Sequence, residues 1–309
     1  MKKLSRKQLF TWLWQALVFF IAVLLVYVSL NQFFPAAQPI LEPLATDTKD
    51  NQVKHVHYVA LGDSLTEGVG DQSKRGGFVP IVAEDIQERY NLSSIEVDNY
   101  GVAGDRSDQI LKRVQKDEDL QKSLTSADFI SVTVGGNDLM KVFQDNFFSL
   151  TVKKFNKPQK KYQKRIDTLL TEIRELNPKA PIYLLGIYNP FYLNFPDIED
   201  MQTIVDHWND ATKEIVATFD KAYFIPINDL LYQGLDQKVG VESDFTLDSS
   251  EDTETSDTTT SAEIGLNQVD NNVLYEEDKF HPNNIGYQLM ANAVRDELIK
   301  TQADWLEKD

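Results

Sequence analysis

Apolar and polar positions along this chain follow two rhythms. Short apolar runs occur at residues 55–61 (HVHYVAL), 94–100 (SIEVDNY), 127–134 (ADFISVTV), 181–188 (PIYLLGIY) and 222–227 (AYFIPI). Their length and their Val, Ile, Tyr and Phe content predict five β-strands. Between them, apolar residues recur at helical spacing. Phe78, Ile81, Val82 and Ile86 form one such set, and Tyr162, Ile166, Leu169, Leu170, Ile173 and Leu176 form a longer one. A final helix is predicted from Ile285, Leu289, Ala293 and Leu298. Strands alternating with helices predict an α/β fold, a five-stranded parallel sheet covered on both faces. Ligands of such sheets bind beyond the carboxyl ends of the strands, which sets a geometric test for any candidate site.

Two segments depart from these rhythms. Residues 9–30 read LFTWLWQALVFFIAVLLVYVSL, an apolar run of 22 positions without a charge. As a helix rising about 1.5 Å per residue it would span roughly 33 Å, enough to cross a bilayer. Trp12, Trp14 and Tyr27 lie towards its ends, as interfacial aromatics do. Lys2, Lys3, Arg6 and Lys7 precede it, so residues 1–8 are expected in the cytoplasm and the rest of the chain outside. The run is longer than the apolar core of a cleaved signal peptide, so an uncleaved single-pass anchor in the cell membrane is the expectation. Residues 31–54 carry Pro35, Pro39 and Pro43 without periodicity and read as a stalk. The folded domain is then expected over 55–309. Within it, residues 242–263 (ESDFTLDSSEDTETSDTTTSAE) are almost wholly Ser, Thr, Asp and Glu. Such a segment buries too little apolar surface to offset its ordering entropy, so it is expected to be a disordered surface insertion.

Charge and composition narrow the function. The chain carries a net charge of −17, and the four N-terminal positives are the only charges before Glu42. The remaining body is therefore more acidic still, which argues against nucleic acid as a partner. There is no cysteine, so disulfides, thiolate metal sites and cysteine nucleophiles are excluded. No HExxH, no GxxxxGK[ST] and no GxSxG occurs, so no metal and no cofactor is expected, and the α/β-hydrolase elbow is missing.

Candidate chemistry begins at Ser64, in VALGDSLTEGVGD, directly after the first predicted strand. A serine nucleophile needs a base, and the chain has four histidines. His55 and His57 enter a strand among apolar neighbours, and His207 lies in a helical stretch beside Trp208; structural or surface roles are expected for these. His281 lies in YEEDKFHPNN, three residues after Asp278 and just ahead of the last helix. That spacing lets Asp278 fold back onto the imidazole and leaves the other ring nitrogen to serve Ser64; a helix-capping turn is the competing reading. Donors for an oxyanion are available in NYGVAGDRS, with Gly101 and Gly104, and in TVGGNDLM, with Gly135, Gly136 and Asn137. Asp138 is expected to cap a helix beginning at Leu139.

These four blocks together resemble the SGNH hydrolases, the GDSL-type lipases or acylhydrolases, in order and spacing from about residue 55 to 300. GDSLTEG resembles the nucleophile block at Ser64. NYGVAGDRS places the oxyanion glycine at Gly104, VGGND places the oxyanion asparagine at Asn137, and DKFHPN places the acid and base at Asp278 and His281. The N-terminal anchor further resembles the membrane-bound branch of this family in Gram-positive bacteria. The resemblance implies a flavodoxin-like three-layer α/β/α sandwich. It implies a serine esterase working through an acyl-enzyme, with the backbone N–H of Ser64 completing the oxyanion hole. Expected substrates are esters of a lipid or lysophospholipid, or the O-acetyl groups of a cell-wall carbohydrate; a catalytically inactive binding module on the same fold is the third reading. Tyr188, Asn189, Pro190 and Phe191, at and after the end of the fourth predicted strand, are expected to border the substrate pocket, with Asn189 and Phe191 the named candidates; a packing role is the competing reading.

Overall fold

The computed structural model describes residues 54–146, 151–190, 199–232, 234 and 271–306. The predicted anchor (9–30), the stalk up to residue 53, the acidic insertion (242–263) and Phe191 lie outside the described residues. Among the described residues, no helix is long and apolar enough to cross a membrane.

Five strands form one wholly parallel sheet in the order β2-β1-β3-β4-β5: β1 His55–Gly62, β2 Ser94–Gly101, β3 Phe129–Thr133, β4 Ile182–Leu185 and β5 Ala222–Ile225. Each starts within two residues of the run that predicts it, and each ends within two residues of its run except β4, which stops three residues early at Leu185. From Val56 onward β1 is buried throughout, because it pairs with β2 on one side and β3 on the other and is covered on both faces. The two-residue period of a strand then feeds two cores. Val59, Leu61, Ile130, Val132, Ile182 and Leu184 face one helical layer, while Tyr58, Ala60, Phe129, Tyr183, Leu185 and Ile225 face the other.

In chain order the helices are α1 Ser64–Glu67, α2 Phe78–Arg89, α3 Ser107–Lys116, α4 Glu118–Ser126, α5 Gly136–Asn146, α6 Val152–Leu176, α7 Glu199–Val216, α8 Asn228–Leu231, α9 Asn284–Lys300 and α10 Gln302–Trp305. Helices α3–α7 contribute to the first core and α2, α8, α9 and α10 to the second. The apolar set on α6 is buried as its spacing requires, from Tyr162 through Ile173. That on α9 is rotated from expectation. Ile285 is 47% exposed, and the buried stripe runs through Tyr287, Met290, Ala291, Val294 and Leu298. The cause is the cap: the Asn283 side chain accepts from the N–H groups of Ile285 and Gly286, which fixes Ile285 in a solvent-facing first turn.

The chain leaves β1 in one direction to reach β2 and later passes to its other side to form β3. The crevice at this reversal, beyond the carboxyl ends of the strands, is where an open α/β sheet binds ligand.

Candidate active site

Ser64 stands in that crevice as the first residue of α1, two positions beyond the end of the sheet ladder at Leu61 and Gly62. Local packing dictates the turn. A side chain on Gly62 would place its Cβ 2.2 Å from Thr133 Oγ1 and 2.7 Å from the Thr133 carbonyl, so only glycine lets β1 run this close to the end of β3. Asp63 caps α1, accepting from the Leu65 N–H at 3.1 Å. The same carboxylate oxygen accepts from Thr133 Oγ1 at 2.8 Å; Thr66 and Thr133 hydroxyls meet at 2.8 Å, and the Asp63 N–H reaches Thr133 Oγ1 at 3.2 Å. Asp63, Thr66 and Thr133 are all buried. Burial raises the Asp63 pKa although the bonds from Thr133 and Leu65 oppose the rise.

His281 reaches this serine from the far end of the chain. Its Nε2 lies 2.9 Å from Ser64 Oγ, and its Nδ1 lies 2.7 Å from Asp278 Oδ2. A carboxylate can only accept, so the ring proton belongs on Nδ1, and the Nε2 lone pair faces the serine hydroxyl. The other oxygen of Asp278 accepts from the backbone N–H groups of Phe280 and His281, at 2.9 and 3.0 Å. Partial burial pushes the Asp278 pKa up, but the bonds from the His281 ring and these two amides outweigh it and hold the carboxyl below its usual range. Residues 271–283 are held from outside and within: Tyr188 Oη donates to the Phe280 carbonyl, and inside the segment the Tyr275 N–H donates to the His281 carbonyl at 2.8 Å.

The oxyanion candidates converge on the same edge. Gly104 takes φ +83°, with open space where a side chain would sit. Asn137, in the first turn of α5, donates one amide N–H to the Asp105 carbonyl at 2.9 Å, which leaves its second N–H for a ligand. Arg113 of α3 binds three loops together. Its Nε donates to Asp105 Oδ2 at 2.8 Å, Nη1 to the Tyr100 carbonyl at 2.9 Å and Nη2 to the Gly62 carbonyl at 2.9 Å. The sequence alone does not single out Arg113 or Thr133; it places Tyr188 at the pocket border but does not reveal its bond to the Phe280 carbonyl. Asp138 also differs from expectation: it lies inside α5 and receives the N–H and hydroxyl of Ser107, so it secures the start of α3.

An apolar cavity opens beside Ser64 and Asn137, lined by Leu65, Leu139, Met140, Ile187, Pro190 and Phe280 among others. Tyr188 and Pro190 line it, whereas the buried Asn189 between them turns its side-chain amide towards Gln202. Of the remaining histidines, His55 is exposed beside Ser94 and Glu96, and His207 is exposed on α7. His57, Glu96 and Asp98 form a group of metal-ligand composition. Both ring nitrogens of His57 are already engaged, with Ser126 at 3.1 Å and Asp98 at 3.0 Å, and the group lies near the opposite end of β1 from Ser64.

A profile of the GDSL-like lipase/acylhydrolase family matches residues 60–289. The chain belongs to this family. Its relatives include the uncharacterized protein YpmR of Bacillus subtilis, 34% identical over 250 residues that cover 81% of this chain and 83% of YpmR. The spore germination lipase LipC of Bacillus licheniformis is 29% identical over 164 residues, 52% of this chain and 74% of LipC. Among solved structures, the lipase Lip_vut3 from a goat rumen metagenome superimposes with a TM-score of 0.58 at 23% identity, covering 78% of this chain and 96% of that one. A variant of Axe2, an acetyl xylan esterase of Geobacillus stearothermophilus, superimposes with a TM-score of 0.51 at 18% identity, covering 79% and 94%. At these identities the two structures establish the shared fold. The family to which the chain belongs is one of carboxylic ester hydrolases.

Proposed function

We propose that this chain is a serine esterase that acts outside the cytoplasm, tethered to the membrane by residues 9–30, and cleaves esters of aliphatic acyl groups. The observation that carries the reading is the chain of contacts Ser64–His281–Asp278, joined across 217 positions of sequence. Ser64 Oγ attacks the ester carbonyl while His281 Nε2 takes its proton, and Asp278 holds the imidazolium that forms. The N–H groups of Ser64 and Gly104 and the free amide N–H of Asn137 stabilise the tetrahedral oxyanion. His281 then protonates the departing alkoxide, leaving an acyl-enzyme on Ser64. Water attacks that ester with His281 again as base, releasing the carboxylic acid and regenerating the serine.

The apolar lining of the cavity supports an aliphatic acyl group over acetyl, because an acetyl methyl would leave most of those side chains without a partner. O-acetyl groups on a wall carbohydrate are the second reading. A panel of p-nitrophenyl esters tests both. Each methylene buried contributes about 0.8 kcal/mol, roughly fourfold in kcat/KM, so butanoate, with two more, should exceed acetate by about 15-fold. Ser64→Ala should reduce turnover of every ester by about 10⁴–10⁶ without loss of fold. A flat or falling series from acetate would favour the carbohydrate reading, and turnover retained by Ser64→Ala would overturn both.

A further inference from the structure

Helix α6 carries a feature that ester hydrolysis leaves unused. Between Val152 and Ile166 it has seven basic residues and no acidic one, in a chain whose net charge is −17. At 3.6 residues per turn, Lys153, Lys157, Lys160, Lys161 and Lys164 fall within an arc of about 100°. That arc lies opposite the buried side, where Phe155, Tyr162, Ile166 and Leu169 face the core. All five lysines are exposed, and none forms an ion pair among the described residues. Like charges spaced three and four apart oppose helix formation; the one acidic residue at such a spacing, Asp167 after Lys164, forms no ion pair with it among the described residues. Arg165, the one basic residue that turns inward, pairs with Asp138 at 3.3 Å.

The position of the stripe adds to its meaning. Helix α6 returns the chain from the end of β3 to the start of β4, so its lysine-rich half lies at the sheet edge that holds Ser64. The Arg165–Asp138 pair and the bond from Tyr162 Oη to the Val134 carbonyl (3.3 Å) fix it beside the loop bearing Asn137. The charges run for about 17 Å along the axis in single file, a shape that matches a thread better than a plane. The exposed large apolar residues among the described ones are Val97, Val102 and Ile285, and none lies on α6. A helix that settles into a lipid interface presents such residues at its boundary.

We propose that the α6 lysine stripe docks a linear phosphodiester polymer alongside the candidate active site. Binding is electrostatic and follows the polymer backbone. The acidic remainder of the surface repels any polyanion broad enough to reach beyond the stripe, which selects for a slender chain. This inference does not rest on the esterase reading, and its test uses no ester.

The full chain, held in neutral detergent, is titrated with poly(glycerol phosphate) at several salt concentrations. About five phosphate contacts give a log–log salt slope near −3.5, a loss of roughly 100-fold between about 50 and 200 mM salt. The fivefold variant Lys153→Gln/Lys157→Gln/Lys160→Gln/Lys161→Gln/Lys164→Gln should bind at least about tenfold more weakly at low salt and lose most of the slope. A control variant, Lys112→Gln/Lys116→Gln on the exposed side of α3, should bind as the native chain does. Thermal melts of both variants report folding, since Gln is as good a helix former as Lys. Equal affinity of the fivefold variant and the native chain would overturn the proposal. So would an equal loss in the control, or binding to phosphatidylglycerol micelles with none to the polymer.

Discussion

Ser64 and His281 meet at 2.9 Å, yet opposite kinds of structure hold them there. The serine stands on a buried platform: Asp63, Thr66 and Thr133 are each less than 5% exposed and share hydrogen bonds between β1, α1 and β3. The histidine sits on a turn beside an aspartate whose side chain is 35% exposed, and both its Nδ1 and its backbone N–H bond to that aspartate three residues back. The sheet therefore positions the proposed nucleophile, and local turn chemistry orients the proposed base. Damage to the first should be felt in stability, and damage to the second in turnover.

Substitutions can break that contrast. After removal of the nucleophile itself, the largest effect on turnover is expected from Asn137→Ala, which loses an oxyanion donor; kcat should fall by about 10²–10³, measured with a soluble ester under saturation. Asp278→Asn comes next. A buried triad aspartate is worth about 10⁴, and access of water to Asp278 should reduce that to roughly 10², with little change in denaturant midpoint. Thr133→Val is the converse case. It leaves the buried Asp63 N–H and carboxylate without their shared partner, so unfolding free energy should drop by about 1–3 kcal/mol in a urea titration. Should Asp278→Asn cost more stability than Thr133→Val, the division between platform and turn would be wrong.

The smallest effect is a pH signature on the nucleophile side. Asp71 follows α1 and accepts backbone N–H bonds from Ser73, Arg75, Gly76 and Gly77. Desolvation pushes its pKa up, but these bonds and the Ser73 hydroxyl dominate and bring it down to about 2. A carboxyl whose folded pKa lies below its unfolded value adds stability above the unfolded value, near 4, and loses it as pH falls towards 2. The melting temperature of Asp71→Asn should thus trail the native chain above about pH 4 and converge with it near pH 2. A gap that stays constant down to pH 2 would argue against this role.

The same contrast explains what the sequence made legible. Asp278 and His281 could be read because their partnership is local, an i to i+3 spacing inside one turn. Ser64, Gly104 and Asn137 could be read because each follows a strand whose apolar run is unambiguous. Arg113 and Thr133 could not. Arg113 reads as a solvated residue on a polar helix, and only the folded sheet brings the Gly62, Tyr100 and Asp105 loops within its reach. Asp138 sits where a cap for its own helix is expected, but tertiary packing offers it the N–H and hydroxyl of Ser107 instead. On α9, apolar spacing admitted two faces, and the Asn283 cap selected the one containing Tyr287 and Met290.

Activation of Ser64 by His281 as a nucleophile can be read out by covalent trapping. The full chain is incubated with a serine-reactive alkyl phosphonate and digested, and the adduct is located by peptide mass mapping. A single adduct on Ser64 is expected, absent in Ser64→Ala and formed far more slowly in His281→Ala. An adduct on another residue, or equal labelling of Ser64 in His281→Ala, would contradict it.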